Sequence, residues 1–327
     1  MIVDLPNTTT SKISKALVRI REEGGAVALG RVLTLIISST LGHEEEAIAA
    51  ANDASREHPM RVIVVSTQVP NAGDPQPAAR VDAEIRVGGD AGASEVILLR
   101  VYGEAASDPE SLVTGLLLSD APVVTWWPGE APEIPSETPL GRLANRRITD
   151  AAAQSHPQDA LFHLCSSYRP GDTDFAWTRL TLWRGQLAAV LDQPPYDPVT
   201  AVQVTGAAAS PSTTMLAAWL QMQLGVTVDY ELTSGPLANG VHGVHLTRTS
   251  GVISLEREIP DVATLSQPGQ PLQDLTLKRR SLRDCLADEL RRLDPDELYG
   301  EVIMRGLPGL HERPGMQEKV TAEAGEK

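Results

Sequence analysis

Three arginines lie close together near the middle of the sequence, and their side chains are of the type that binds anions. They are Arg142, Arg146 and Arg147. A guanidinium group binds a phosphate or a carboxylate through two parallel hydrogen bonds. On a helix, Arg142 and Arg146 would share a face, which is unfavourable unless a negative charge lies nearby. Three interpretations remain open, namely a solvated basic face, an anionic ligand or acidic side chains elsewhere in the fold.

A second anion-binding candidate is the turn 206–212, which joins a predicted strand to a predicted helix. Its residues are small, and Ser210 and Ser212 stand near the helix start. Backbone N–H groups at a helix N-terminus can hold a phosphate. The same residues also fit a turn without a ligand, in which a serine caps the helix and Pro211 takes its first position. The residues alone leave both interpretations open.

The sequence carries none of the common catalytic or nucleotide-binding signatures. It has no glycine-rich phosphate loop ending in Lys-Ser or Lys-Thr, no G-x-G-x-x-G after a strand, no G-x-S-x-G and no H-E-x-x-H. His242 and His245 are three residues apart on a predicted strand, so they point to opposite faces and cannot share a metal ion. We therefore predict no catalytic residues, no metal and no cofactor.

Trp126 and Trp127 are candidates for a surface that binds another protein. They end an apolar run over 123–127 that has the length of a buried strand, and Pro128-Gly129 stops it. Adjacent side chains of a strand point to opposite faces. We therefore expect one indole in the core and the other at the end of the sheet, where an exposed aromatic ring is a typical interface anchor.

Trp177 and Trp183 are two further candidates for the same role. They are six residues apart on a helix predicted over 172–192. At that spacing two side chains do not share a helix face closely. We therefore expect one of them in the core and the other exposed, which adds both residues to the predicted partner-binding set.

The elements that must position these residues alternate between strands and helices. Apolar runs over 32–37 and 61–66 flank a helix that begins near His43, and this βαβ pattern predicts parallel strands. Strands predicted at 82–87 and 95–101 form an antiparallel hairpin, and further strands are predicted at 199–205, 226–233, 241–249 and 252–258. Helices are predicted over 213–224, from Asp108-Pro109, where Asp caps and Pro takes the first position, and from Ser281, which with Asp284 resembles a capping box.

These elements predict the fold class α/β, with two α/β domains whose mixed sheets are flanked by helices and joined by a helical segment. The predicted boundaries are 1–135 for the N-terminal α/β domain, 136–195 for the helical connecting segment, 196–305 for the C-terminal α/β domain and 306–327 for a disordered tail.

Composition and charge exclude several classes of protein. The chain has 327 residues, of which 42% are hydrophobic, and a net charge of −15. An acidic surface repels nucleic acid and anionic membranes, so we predict neither as a partner. No signal-peptide pattern is present, and no apolar run approaches the ~20 residues of a membrane helix. The two cysteines lie far apart and exclude a disulfide framework. We expect a soluble, cytoplasmic protein.

Several stretches of the sequence, taken together and in order, carry a resemblance to one protein family. They are MIVDLP (1–6), REEGGAV (21–27), GRVLTL (30–35), HPMRVIVV (58–65), PVVTWWPG (122–129) and FAWTRLTLW (175–183). Together they resemble the glucose-6-phosphate dehydrogenase assembly protein family, OpcA. The resemblance extends from residue 1 to about residue 305.

The resemblance implies a non-catalytic protein whose partner is glucose-6-phosphate dehydrogenase. Members of the family bind that enzyme, promote its active oligomer and act as allosteric activators in the oxidative pentose phosphate pathway. The resemblance supplies no catalytic residues to transfer to this chain. The alternative is a sugar-phosphate-binding enzyme or metabolite sensor, which would use the arginines together with the turn at Ser210 and Ser212. Both functions are compatible if the activator senses a metabolite.

Overall fold

The computed structural model describes residues 1–23, 31–68, 77–88, 95–235 and 239–311. Contacts between residues group them into two units. Unit 1 comprises 1–150, 171–173 and 281–295, and unit 2 comprises 151–170, 174–280 and the described residues from 296 onward. The predicted domain boundaries stay a prediction. Among the described helices, none is long and apolar enough to cross a membrane.

Unit 1 is built on an eight-stranded mixed sheet. Its strands are β1 (Ile2–Leu5), β2 (Leu33–Thr40), β3 (Met60–Thr67), β4 (Arg80–Val87), β5 (Glu95–Tyr102), β6 (Val123–Trp126), β7 (Arg146–Thr149) and β8 (Asp172–Asp174). Its helices are α1 (Thr10–Glu23), α2 (Glu45–Ala54), α3 (Pro109–Thr114), α4 (Pro139–Leu143) and, from the C-terminal part of the chain, Leu282–Arg291.

The strand order of this sheet is β1-β4-β5-β3-β2-β6-β7-β8. The pairs β5–β3, β3–β2, β2–β6 and β6–β7 are parallel, whereas β4 pairs with β5 and with β1 in antiparallel fashion. The apolar runs in β2, β3 and β5 are buried along most of their length. The predicted βαβ unit and the predicted antiparallel pairing of the next two strands are thus confirmed, although the turn 89–94 lies outside the described residues.

The tryptophan pair at the end of β6 is buried on both sides. Trp126 is 0% exposed and Trp127 is 5% exposed. Trp127 belongs to the same apolar cluster as Val123, Ile13 and Leu140, whereas Trp126 does not. The predicted alternation of faces fits this arrangement. The predicted exposure of one indole is wrong, because α1 and α4 contribute apolar side chains to the face on which Trp127 lies.

Unit 2 contains a six-stranded sheet. Its strands are β9 (Val199–Ala207), β10 (Val228–Thr233), β11 (Val241–Arg248), β12 (Gly251–Ile259), β13 (Val262–Ser266) and β14 (Gln273–Thr276). Its helices are α5 (Pro157–Ser167), α6 (Phe175–Thr178), α7 (Thr181–Leu191), α8 (Pro211–Leu224), α10 (Glu297–Glu301) and α11 (Leu307–His311). Helix α9 (Leu282–Arg291) is the C-terminal helix of unit 1.

The strand order of the second sheet is β10-β9-β11-β12-β13-β14. Strands β9 and β10 pair in parallel, and α8 connects them as the crossover. The other described pairs of this sheet are antiparallel. Both sheets are therefore mixed and flanked by helices, which confirms the predicted fold class.

Two helical predictions differ from the structure. The helix predicted over 172–192 is divided into β8, α6 and α7. Asp174 ends the strand and its carboxylate accepts a hydrogen bond from the Ala176 N–H, so the chain restarts as a helix there. The predicted tail over 306–327 begins too early, because α11 is helical with Leu307 and Leu310 buried. Residues 312–327 lie outside the described part of the chain.

Helix α9 belongs to unit 1, although it lies near the C-terminus of the sequence. It begins with the predicted capping box, in which Ser281 and Asp284 each accept a hydrogen bond from the other's backbone N–H. Within unit 1 it packs on α2. The buried Glu289 carboxylate accepts hydrogen bonds from Arg146 of β7, including one from Nε at 2.9 Å. A buried ion pair therefore joins this helix to the central sheet.

We expect Trp126→Ala and Trp127→Ala each to lower the free energy of unfolding by about 3–5 kcal/mol, because each removes a large buried ring. Tyr196→Ala is the control, since its ring is 74% exposed and should contribute little. Urea unfolding followed by circular dichroism measures all three. Native stability in either tryptophan variant would contradict the packing described for that ring.

We expect Arg146→Met to cost about 3–5 kcal/mol of stability, because it takes the Arg146 cation away from the buried Glu289 carboxylate. Arg142→Met is the matched control, since Arg142 is paired with Glu110 at 3.1 Å and both side chains are largely exposed. An exposed pair contributes at most about 1 kcal/mol. Equal losses in the two variants would show that the buried pair has no special role.

Candidate functional site

A crevice in unit 1 lies where the strand order reverses on either side of β2. The chain moves from β2 to β3 on one side of the sheet and later to β6 on the other. In doubly wound α/β sheets, ligands bind outside the carboxyl ends of the strands at such a point. A cavity of 690 Å³ occurs there. Its lining includes the ends of β2 and β3 and the segment that follows β6, among them Ser38, Ser39, Thr40, Thr67, Trp127, Pro128 and Gly129.

The helix that begins at this crevice carries negative charge where a nucleotide phosphate would need positive charge. Glu44 precedes α2, and Glu45 and Glu46 occupy its first turn. The Glu44 carboxylate is buried and accepts a hydrogen bond from Ser66 Oγ at 2.7 Å. The hydrogen bond from Arg86 holds the pKa of Glu45 below its usual range, so that group stays ionised. These carboxylates satisfy the positive end of the helix and repel an anionic ligand.

The four tryptophans predicted to bind a partner are all buried, and only one of them lines this crevice. Trp127 does so. Trp177 donates a hydrogen bond from Nε1 to Asp296 at 2.9 Å, and the Arg184 guanidinium lies 3.5 Å above its ring. Trp183 is 3% exposed and lines a cavity in unit 2. The expected exposure of either Trp177 or Trp183 is wrong, while a role of the four rings in partner binding stays a prediction.

The three predicted anion-binding arginines have internal acceptors. Arg142 lies on α4, whereas Arg146 and Arg147 lie on β7, so they do not share a helix. Arg142 donates to Glu110 and to the Glu137 carbonyl oxygen. Arg146 is buried against Glu289, and Arg147 is buried against Asp172. Of the three interpretations left open by the sequence, acidic side chains elsewhere in the fold account for these contacts, and a solvated face does not fit the burial of Arg146 and Arg147.

Ser210 and Ser212 lie at the start of α8 and line a cavity of 340 Å³ in unit 2. Pro211 occupies the first helical position, as predicted. The Ser210 hydroxyl makes no capping hydrogen bond to the helix, whereas the Ser212 hydroxyl donates to the Ala176 carbonyl oxygen at 2.8 Å. The turn is thus not closed by a serine cap, and it opens onto the cavity.

The basic residues that line this cavity were not predicted from the sequence as anion-binding residues. Its lining contains five basic side chains and, among the described residues, no carboxylate: Arg179, Arg257, Lys278, Arg279 and Arg280. They come from three separate segments of the chain. The run Lys278-Arg279-Arg280 was the available signal, because three consecutive basic residues stand out in a chain of net charge −15.

The excess of basic over acidic side chains in the lining determines the electrostatics of the cavity. Burial lowers the pKa of Arg257 to about 10, the nearby charge of Arg279 adds to the effect, and Asp261 opposes it. Burial also lowers the pKa of His242, which lines the adjoining cavity, and the charges of Arg279 and Arg257 act in the same direction. The site is therefore electropositive. Within the described part of the chain, no group of three or more His, Cys, Asp or Glu residues is placed to hold a metal ion.

Comparison with solved structures finds similar chains at low identity. The glucose-6-phosphate 1-dehydrogenase from Mycobacterium avium is 11% identical with a TM-score of 0.47, covering 89% of this chain and 94% of its own. An oxidoreductase from Sinorhizobium meliloti is also 11% identical with a TM-score of 0.47, covering 85% of this chain and 95% of its own. No curated protein sequence matches the chain.

Two family models match consecutive parts of the sequence. Residues 51–166 match the model for the N-terminal domain of a glucose-6-phosphate dehydrogenase subunit. Residues 170–303 match the model for the C-terminal domain of the same kind of protein. The two matches follow each other in the order that the descriptions require and cover most of the chain, so the protein belongs to the OpcA family, whose two domains are described as those of a glucose-6-phosphate dehydrogenase subunit.

Proposed function

We propose that this protein is a non-catalytic partner of glucose-6-phosphate dehydrogenase that binds the enzyme in the cytoplasm, promotes its active oligomer and raises its activity. Such an activator would increase flux into the oxidative pentose phosphate pathway. The observation that carries the proposal is family membership across both halves of the chain. The family descriptions speak of a subunit of the dehydrogenase, and activation is the further step proposed here.

The unit 1 crevice supports a role other than dinucleotide-dependent catalysis. In a nucleotide-binding sheet of this type, the first βα turn is rich in glycine and the pyrophosphate sits on the helix N-terminus. Here the corresponding turn is Leu41-Gly42-His43-Glu44, followed by Glu45 and Glu46. Three carboxylates at that position disfavour a pyrophosphate by charge. The sheet thus has the topology of a dinucleotide-binding domain with unsuitable chemistry at the phosphate position.

We place the partner-binding surface at the rim of this crevice. Trp127 is held there by the core, and the exposed residues Gly129 and Glu130 follow it. His43 and Glu46 supply exposed polar groups on the α2 side. Because Trp127 is already buried by the core, it supports the crevice from below, and the exposed polar residues around it form the surface that a partner contacts. This geometry fits a partner that contacts the rim over the tryptophan, and the assignment rests on the proposed function.

A charge reversal at the rim tests this placement. We expect Glu130→Lys to weaken co-purification with the cognate dehydrogenase about tenfold while leaving the melting temperature unchanged, because a rim charge affects association and not folding. Glu104→Lys is the matched control, since Glu104 is an exposed acid of unit 1 that does not line the crevice. Equal binding by both variants would place the partner surface elsewhere, whereas no binding by the unmodified chain would refute the proposed function.

The acidic helix start also predicts that the protein does not bind NAD or NADP and has no dehydrogenase activity of its own. Purified protein mixed with glucose 6-phosphate and either nucleotide should produce no absorbance at 340 nm, the wavelength at which reduced nicotinamide absorbs. Titration calorimetry with each nucleotide should show no heat assignable to unit 1. Because a nucleotide can also bind to the cations of unit 2, its affinity is compared between the unmodified chain and the variant Glu44→Gln/Glu45→Gln. A higher affinity of the variant for the nucleotide supports the charge argument. Tight binding that is the same in both proteins contradicts it.

A further inference from the structure

The unit 2 cavity combines a high density of positive charge with a nearby helix N-terminus. Arg179, Arg257, Lys278, Arg279 and Arg280 line a volume of 340 Å³, and no Asp or Glu is present among its described lining residues. Buried or clustered charges are normally compensated by opposite charges, because like charges close together repel. In a protein of net charge −15, this concentration of cations around one cavity requires an explanation.

The guanidinium groups of Arg257 and Arg279 donate hydrogen bonds to uncharged carbonyl oxygens. Arg257 donates to the carbonyl oxygens of Val241 at 2.7 Å and Leu277 at 3.4 Å, and its Nε is buried without an acceptor among the described residues. The Arg279 side chain donates to the Asn239 carbonyl oxygen. Carbonyl oxygens orient these guanidinium groups but do not neutralise them. Asp261 accepts a hydrogen bond from the Arg279 backbone N–H and offsets part of the charge of Arg257, so two guanidinium groups face one nearby carboxylate and the charge stays positive.

The backbone around the cavity brings these groups close to the start of α8. Gly240 has a positive φ of 70°, and a Cβ at that position would lie 3.0 Å from Arg257 Nη2. The left-handed φ favours glycine at this position, and the absence of a side chain leaves the end of the Arg257 guanidinium uncrowded. Helix α8 has 14 residues, and the partial positive charge at its N-terminus attracts an anion. Both the side chains and the backbone thus present positive charge to the same cavity.

The remaining lining groups define the class of ligand. The Ser210 hydroxyl makes no capping bond, and the Asn239 side chain is also part of the lining. These groups can bond to hydroxyls, while Leu180 and Trp183 provide an apolar wall. A volume of 340 Å³ is at the lower end of the range for small-molecule sites, so it holds a compact ligand. At physiological ionic strength, charges beyond ~8 Å are screened, so the local cations outweigh the acidic surface.

We propose that this cavity is a binding site for a small phosphate monoester with a polar, hydroxyl-bearing body. Arg257, Lys278 and Arg279 bind the phosphate oxygens, as guanidinium and ammonium groups do elsewhere. The start of α8 faces the same anion. This site differs from the one predicted around Arg142, Arg146 and Arg147, and it shares with that prediction only Ser210 and Ser212. The assignment is independent of the proposed partner, since all the lining residues belong to unit 2.

Titration calorimetry of the full chain in phosphate-free buffer tests the proposal. The probes are glucose 6-phosphate, inorganic phosphate and glucose. We expect glucose 6-phosphate to bind, inorganic phosphate to bind more weakly and glucose not to bind. Lys278→Met/Arg279→Met should weaken the binding of glucose 6-phosphate about tenfold or more, because two charged hydrogen-bond donors are lost. Both residues are exposed, so this variant preserves the core.

The control is Arg169→Met/Arg305→Met, which removes the same charge from exposed positions of unit 2 that do not line the cavity. Its affinity should remain within about twofold of the unmodified chain. Circular dichroism and thermal melting verify folding of both variants. Absence of glucose 6-phosphate binding, equal losses in the two variants, or binding of inorganic phosphate alone would overturn the assignment. None of these results depends on whether the dehydrogenase binds.

Discussion

The buried ion pair between Arg146 and Glu289 is the contact on which the organisation of unit 1 depends. The two residues are 143 positions apart in sequence, and both are nearly inaccessible to solvent. Arg146 also donates to the Asp294 carbonyl oxygen at 2.9 Å, so the guanidinium bonds to two parts of the C-terminal segment. Desolvation of such a pair is costly unless its hydrogen bonds are satisfied. The pair ties α9 to β7 and, together with the packing of α9 on α2, accounts for the grouping of residues 281–295 with unit 1.

The sequence predicted a strand or helix correctly wherever a pattern of neighbouring residues determines that element. Long apolar runs predicted β2, β3 and β5, and the Asp108-Pro109 start predicted α3 with the observed side-chain cap. Strands β7 and β14 were missed because they are short and rich in polar residues, and β13 was missed because a five-residue run is too short for a clear pattern. The assignment of α9 to unit 1 was also inaccessible, because it depends on a contact with a strand that had not been predicted.

The candidate site was predicted less well because residue type does not reveal which partner a side chain meets. Arg146 and Arg147 have the chemistry of anion binding, yet Glu289 and Asp172 satisfy them inside the fold. The cations that face a cavity come from α6–α7, β12 and the segment after β14, and only folding brings them together. The turn at Ser210 was found correctly, since a strand–turn–helix with small residues is a local pattern.

The two cavities have opposite electrostatic character. This contrast shows how a sheet with the strand order of a dinucleotide-binding domain can serve another function. The unit 1 crevice occupies the position of a dinucleotide site, but Glu44, Glu45 and Glu46 place carboxylates at the helix start. The unit 2 cavity lies at an ordinary strand-to-helix turn, yet it gathers basic side chains around a helix N-terminus. Strand order therefore determines where a crevice forms, while the charges at its edge determine which ligand it accepts. For this reason we assign a phosphate ester to the basic cavity, and the acidic crevice to protein contact.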